Sequence, residues 1–282
     1  MDYYIKYNII KIPEYYKSGV RDDQNINVYK DISTGAFILD KNKKQLYEKN
    51  GLSYWSCKSI KDARLKTFDD DIRRFNQLTN INYDTILDFG CGNGGLLKIL
   101  KEKKKDKNII GIEINENLLE YLNFEGINTF ACICEIPQNI NFCCIMLNHV
   151  LEHLHDPIDI LKKIKQRMNK KTLLIIEVPH ANDFLINEYN CEKFKEFTFW
   201  SQHLILHTKQ SLLNLLNIVG FLKIKIMFYQ RYNIFNHLYW LNNGEPGGHK
   251  KTKYSDDNLI NAYNEFLIKN EKTDTLIAHC YI

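Results

Sequence analysis

The chain has 282 residues, with 38 Lys or Arg against 34 Asp or Glu and a formal net charge of +4. That length holds one full α/β core with appendages and does not demand two independent domains. The charge balance is too even to call for a polyanion, and no apolar run reaches the length of a signal peptide or a membrane span, so neither nucleic acid nor a membrane is an expected partner. Cysteines at 57, 91, 132, 134, 143, 144, 191 and 280 form no C-x-x-C pair and several fall in apolar stretches. They read as free thiols of a reducing, cytoplasmic compartment.

Residues 1–80 read as an N-terminal cap on the substrate side, with a strand at 35–40 and an amphipathic helix at 62–78. From residue 84 strands and helices alternate, which predicts a mostly parallel sheet with helices on both faces. The expected strands are 84–89, 109–113, 127–131, 142–148, 172–178, 222–229 and 274–282. Residues 81–282 are therefore read as one α/β, Rossmann-like domain with a seven-stranded sheet. The stretch 230–273, between the last two strands, is too long for a hairpin and is expected to be a lid insertion.

The first of these strands runs into a glycine cluster, Thr85-Ile-Leu-Asp-Phe-Gly-Cys-Gly-Asn-Gly-Gly95. Glycines let the backbone turn sharply and approach a ligand closely, while the next helix aims its N-terminus at the same place. Gly90, Gly92 and Gly95 also satisfy the G-x-G-x-x-G spacing of dinucleotide sites, which would make the protein an NAD-dependent sugar oxidoreductase. Asp88 weighs against that reading. Its carboxylate repels a pyrophosphate and attracts the α-ammonium of a methionine moiety. The second strand ends in Glu113, about 20 residues further on, where a carboxylate takes ribose hydroxyls.

With Asp88, Gly90, Gly92, Gly94 and Glu113 in register, the chain resembles the class I S-adenosylmethionine-dependent methyltransferases, whose first motif reads acid-x-Gly-x-Gly-x-Gly. The resemblance implies S-adenosyl-L-methionine as cofactor, with Cys91 and Ile114 beside it and a last strand inserted antiparallel. It continues in Leu147-Asn-His-Val-Leu-Glu-His-Leu-His-Asp-Pro157, similar to the "hvLEHl-x-dP" of methyltransferases acting on sugars and small molecules. It implies that Asn148 contacts the cofactor and that His153 lies near the transferred methyl. His149, Glu152 and His153 also spell the H-x-x-E-H of inverted zinc peptidases, and residues at i and i+4 share a helical face. No distinct third ligand presents itself, so no metal is assigned, while a non-peptidase divalent site, of the kind that some small-molecule O-methyltransferases have in this region, stays open.

Beyond the fifth strand, Phe197-Thr-Phe-Trp-Ser-Gln-His203 leads into a helix expected to end at Gly220. Sugar C-methyltransferases carry Glu-His where this chain has Gln202-His203, which argues against carbon methylation. For a hydroxyl acceptor His203 is the expected general base, with His153 in reserve. The insertion offers Arg231, Tyr232, Asn236, His237, Trp240 and His249, rings, amides and a guanidinium suited to a sugar or phosphorylated ligand. A similar stretch occurs in methyltransferases of surface-polysaccharide pathways. The resemblance thus implies O-methylation of a sugar, a sugar nucleotide or a related small-molecule precursor, with an amine or phosphoramidate as the alternative acceptor. The oligomeric state is not legible.

Overall fold

Strands apolar on both faces must be covered on both, and the chain supplies a helix after almost every strand. The computed structural model describes residues 1–40, 69–78, 84–103, 107–252 and 254–282. Its N-terminal part is α1 (Asp2–Lys6), β1 (Pro13–Val20), β2 (Asp23–Asp31), β3 (Phe37–Asp40) and α2 (Asp69–Leu78). The central part runs β4 (Thr85–Phe89), α3 (Gly95–Lys103), β5 (Asn108–Ile112), α4 (Glu116–Phe124), β6 (Asn128–Phe130) and β7 (Cys144–Asn148). A 3-10 turn (Leu151–His153) then precedes α5 (Pro157–Gln166) and β8 (Leu173–Pro179). The remainder is α6 (Phe184–Asn187), α7 (Glu192–Thr198), β9 (Ile205–Leu206), α8 (Lys209–Val219), β10 (Lys223–Tyr229), α9 (Ile234–Asn243), α10 (Gly248–Lys251), α11 (Asp257–Lys269) and β11 (Thr275–Tyr281).

The seven-stranded sheet has the order β10-β11-β8-β7-β4-β5-β6. Strand β11 is antiparallel to both neighbours, and the other pairings are parallel. Each expected strand is found within two residues of its place. Alternate residues fill opposite faces: Ile86, Cys144, Met146 and Ile175 on one, Leu87, Ile145, Leu147 and Ile176 on the other. Local signals set the helix ends. Asp156 caps α5 ahead of Pro157, Thr208 and Ser211 form a capping box on α8, and Gly220 ends α8 in the left-handed region at φ 85°.

Three features differ from the sequence reading. A β1–β2 hairpin, broken by register shifts next to Tyr15 and Gly19, forms in a segment where no strand was expected. Its alternation is blurred, because Tyr, Lys and Asn occupy both faces. The N-terminal sheet is not a layer made by residues 1–80 alone, since its order is β1-β2-β3-β9 and its last strand comes from residues 205–206. Cys132 and Cys134 are bonded to each other within a turn, so these two are not the free thiols expected; Cys91, Cys143, Cys144, Cys191 and Cys280 are free. Cys57 and the expected helical residues 62–68 lie outside the described residues.

Candidate active site

Strand β4 delivers Asp88 and the glycine loop to the carboxyl edge of the sheet. Gly90, Gly92 and Gly94 have φ of 76°, 55° and 73°, a region that side chains disfavour. At Gly90 there is no room either, because an added Cβ would stand 2.5 Å from Val150 Cγ2. The N–H groups of Gly90 and Cys91 donate to the Ile112 carbonyl at 2.8 and 2.9 Å, fastening the loop to β5. The Cys91 side chain packs behind the loop against Gly111, where an added Cβ would lie 2.7 Å from its sulfur. Ile114 is exposed at the end of β5.

The two acids behave differently. Glu113 is buried and turns back on its own loop, accepting from Gly92, Ile114 and Asn115 N–H at 2.9, 2.8 and 2.9 Å. Burial still leaves its carboxyl above the ordinary range. Asp88 is 4% exposed, and burial pushes it up to about 7 despite the opposing field of Arg74. Asn148 Nδ2 donates to Asp88 Oδ1 at 3.3 Å, tying the end of β7 to the loop.

Helix α2 crosses this edge with a basic pair. Arg73 Nη2 donates to both oxygens of Glu177 at 2.8 Å, and Arg74 Nη2 donates to Oε1 at 2.6 Å. His149 Nε2 lies 3.1 Å from the same Oε1 and 2.8 Å from Arg231 Nη1, while Arg231 Nη2 reaches Asp70 Oδ2 at 2.6 Å. Burial opposes the charge on Glu177, but the His149 hydrogen bond and the guanidinium fields hold it well below the usual carboxylate range. Among the described residues, Arg73 Nη1 and Arg74 Nε are buried without a hydrogen-bond partner. Both arginines, together with Asp70, escaped the sequence reading. The available signal was two adjacent cations in a helix that opens with three acids and directly precedes the cofactor strand.

His149 sits at φ 54°, an uncommon conformation for a non-glycine residue, with its N–H bonded to the Glu177 carbonyl. The chain then enters the 3-10 turn. The H-x-x-E-H residues therefore do not share the face of an α-helix, because His149 is left-handed and only Leu151–His153 turn. Glu152 is fully buried, its Oε1 3.3 Å from His149 Nδ1 and 3.8 Å from His153 Nε2. Burial raises its pKa, yet the His149 hydrogen bond and the neighbouring imidazoles bring the carboxyl down to about 2.

His203 arrives from the loop before β9 and meets His153 with ring centroids 5.0 Å apart. Trp200 sets its edge against both rings. His153 Nδ1 bonds the Gln202 carbonyl at 2.8 Å, His203 Nδ1 bonds the Thr198 carbonyl at 3.2 Å, and Leu204 N–H donates to the Glu152 carbonyl at 2.9 Å. Burial lowers His203 to about 4, so its imidazole is neutral at physiological pH.

The expected acceptor residues divide. Arg231 joins the network around His149, and Tyr232, a third exposed, carries the His249 ring 5.3 Å away. Asn236 is buried and accepts from Gly247 N–H at 3.1 Å, holding the glycine turn. His237 bonds Tyr263 and approaches Gln230, and Trp240 packs on Phe194 and Phe197 of α7; both are buried.

Residues 57–226 match a family model described as a methyltransferase domain. A tRNA (guanine-N(7)-)-methyltransferase of Clostridium botulinum is 40% identical over 48 residues, covering 17% of this chain and 22% of the relative. A tRNA U34 carboxymethyltransferase of Campylobacter fetus is 27% identical over 180 residues, covering 47% and 63%. The chain thus spans only part of either relative's length. A crystallised S-adenosylmethionine-dependent methyltransferase from Archaeoglobus fulgidus has the same fold, with a TM-score of 0.51 at 18% identity over 75% of this chain and 94% of that one.

Proposed function

The chain belongs to the methyltransferase-domain family, with S-adenosylmethionine as its methyl donor, and on that premise we propose that it methylates a hydroxyl of a sugar, a sugar nucleotide or a phosphorylated glycan precursor. The observation that supports a transfer site here is the Asn148–Asp88 hydrogen bond, which brings the glycine loop and the His149–His153 turn to one sheet edge. The residues fit the donor. Asp88 titrates near neutrality and loses its proton to take an ammonium, while Arg74 beside it has an unused buried Nε for a carboxylate. The donor supplies a methyl group on a sulfonium. Held there, it would supply that methyl to the acceptor oxygen and leave as the neutral thioether.

What the protein must add is alignment and removal of the hydroxyl proton. The neutral imidazole of His203, with its Nδ1–H held by a backbone carbonyl, offers Nε2 as the proton acceptor, and His153 stands next to it. The Tyr232–His249 pair, its tyrosine a third exposed, stands beside the Arg231 guanidinium and supports a ringed, polar acceptor. A nucleic-acid acceptor is the second reading, because both curated relatives named above modify tRNA; the even charge balance does not exclude it. A methyl-labelled donor incubated with the enzyme and separate panels of sugar nucleotides, small amines and tRNA tests the assignment. Label in the sugar panel supports it. Label confined to tRNA or to amines overturns the acceptor, and no binding of S-adenosylhomocysteine overturns the whole reading.

A further inference from the structure

Glu152, His153 and His203 each offer a ligand atom, and these atoms all lie within 4.8 Å of one another. We propose that they form a binding site for a divalent cation of the zinc type, with an open coordination position toward the acceptor. The assignment replaces the expectation that no metal is held. The cation's role at the acceptor rests on the functional reading above, whereas its binding does not.

The first argument is the direction of the protons. His153 Nδ1 and His203 Nδ1 both face backbone carbonyls, of Gln202 and Thr198, and a carbonyl only accepts. Each Nδ1 therefore carries the hydrogen and each Nε2 the lone pair, the orientation that outer hydrogen bonds give to metal-ligating histidines. Two lone pairs and an ionised carboxylate then converge with no proton to share among them. A cation is what such a set of acceptors lacks.

The second argument is independent of the first. Glu152 is fully buried, and its Oε2 has no hydrogen-bond partner among the described residues. A buried, unsatisfied oxygen of this kind is rare in folded proteins and calls for a ligand. Its other oxygen is taken by His149. His149 itself is not part of the set, since its two ring nitrogens face Glu152 on one side and Arg231 and Glu177 on the other. The ligands thus come from a turn after β7 and a loop before β9, and not from one helix face as the H-x-x-E-H spacing suggests.

Two imidazoles and one carboxylate leave a fourth position for water or substrate in catalytic zinc sites. Metal–ligand bonds of about 2.0–2.2 Å place tetrahedral ligand atoms roughly 3.3–3.5 Å apart, so this cluster would tighten by up to about 1.5 Å when loaded. The Leu204 N–H bond to the Glu152 carbonyl and the His153 imidazole bond to the Gln202 carbonyl already fix the two segments against each other. The His153 side chain is 27% exposed, which leaves a path from solvent. A cation there would occupy the Nε2 that His203 otherwise offers as base, lower the pKa of a hydroxyl placed on it so that the proton passes to solvent, and hold that oxygen still.

The test uses untagged full-length protein stripped with a chelator and then titrated with Zn2+ against a chromophoric competitor. One Zn2+ per chain is expected, with affinity falling at least tenfold in Glu152→Gln and in His203→Asn and unchanged in His279→Gln, a histidine on β11 outside the cluster. Binding of S-adenosylhomocysteine and the thermal midpoint of the stripped variants report whether they are folded. Co2+ substitution adds ligand-field bands that Glu152→Gln should lose. Less than stoichiometric Zn2+ in the wild type, or equal affinity in all folded variants, overturns the metal site even if methyl transfer proceeds. Zn2+ binding that depends on Glu152 without any binding of S-adenosylhomocysteine would leave the site standing and remove the methyltransferase reading.

Discussion

The two edges of the proposed donor–acceptor crevice are built by different means. Around the glycine loop the contacts are short-range and made largely by backbone: Gly90 to Ile112, Gly92 to Glu113, and Glu113 to its own neighbours. Around the histidines they are side-chain contacts between distant segments, joining His153 to Gln202, His149 to Arg231, Arg73 to Glu177 and Asp70 to Arg231. A binding loop made of backbone tolerates drift in the surrounding side chains. A site made of paired charges depends on every partner.

The largest effect should therefore come from the network of paired charges. Glu177→Gln leaves Arg73, Arg74 and His149 facing a neutral amide in a buried place. Breaking such a group costs about 3–5 kcal/mol of stability, readable from urea unfolding. A loss below about 1 kcal/mol would mean that the network is solvated, and the contrast between the two edges would disappear.

His203→Ala should reduce turnover on the order of 10²-fold while leaving S-adenosylhomocysteine affinity unchanged, because the role proposed for the imidazole is at the acceptor and not at the donor. Calorimetry and steady-state kinetics on one preparation separate the two quantities. A parallel loss of cofactor affinity would show that the edges are energetically one site.

Gly90→Ala sharpens the comparison from the other side. It forces a side chain into a left-handed conformation and against Val150, and should weaken S-adenosylhomocysteine binding by roughly 1–3 kcal/mol. Adding Val150→Ala should restore only part of the loss, since it removes the clash and keeps the strain. Full restoration would mean that the backbone conformation is not what the glycine provides.

The smallest effect is a pH slope. Free Asp88 is held at about 7, and an ammonium ligand favours its ionised form. Affinity for S-adenosylhomocysteine should thus be lost as pH falls through 7, by about tenfold per unit, and be flat above it. Asp88→Asn should abolish the slope. A slope that survives in the variant would assign the proton to another group.

The same contrast explains what could be read from the sequence. Asp88, the glycines and Glu113 lie within one β4-loop-α3-β5 unit of consecutive elements. The seven sheet strands were equally legible, because runs such as Leu173–Pro179 are apolar on both faces and bounded by turns. The Arg73–Arg74 pair was not, since nothing in a short charged helix says which buried acid it will meet. The N-terminal hairpin escaped because residues such as Tyr15 and Tyr29 sit across from each other with little apolar alternation to mark them. The histidine cluster was half legible. His153 and His203 stood out singly, but that they meet depends on a fold-back around Leu204 that no local spacing announces.

Strand β9 pairs Ile205 with Ile38 and Leu206 with Phe37, only two residues beyond His203. On a ribosome the chain emerges N-terminus first, so β3 appears with one edge bare and waits for its partner until most of the large sheet has been made. An exposed edge of this kind is a template for wrong pairing. The cradle between β4 and β5 can close early from neighbouring residues, whereas the platform under His203 needs closure of a very long loop. The crevice is thus assembled in two stages. Nascent chains arrested before residue 205 would have a donor cradle and no acceptor histidine seated beside it.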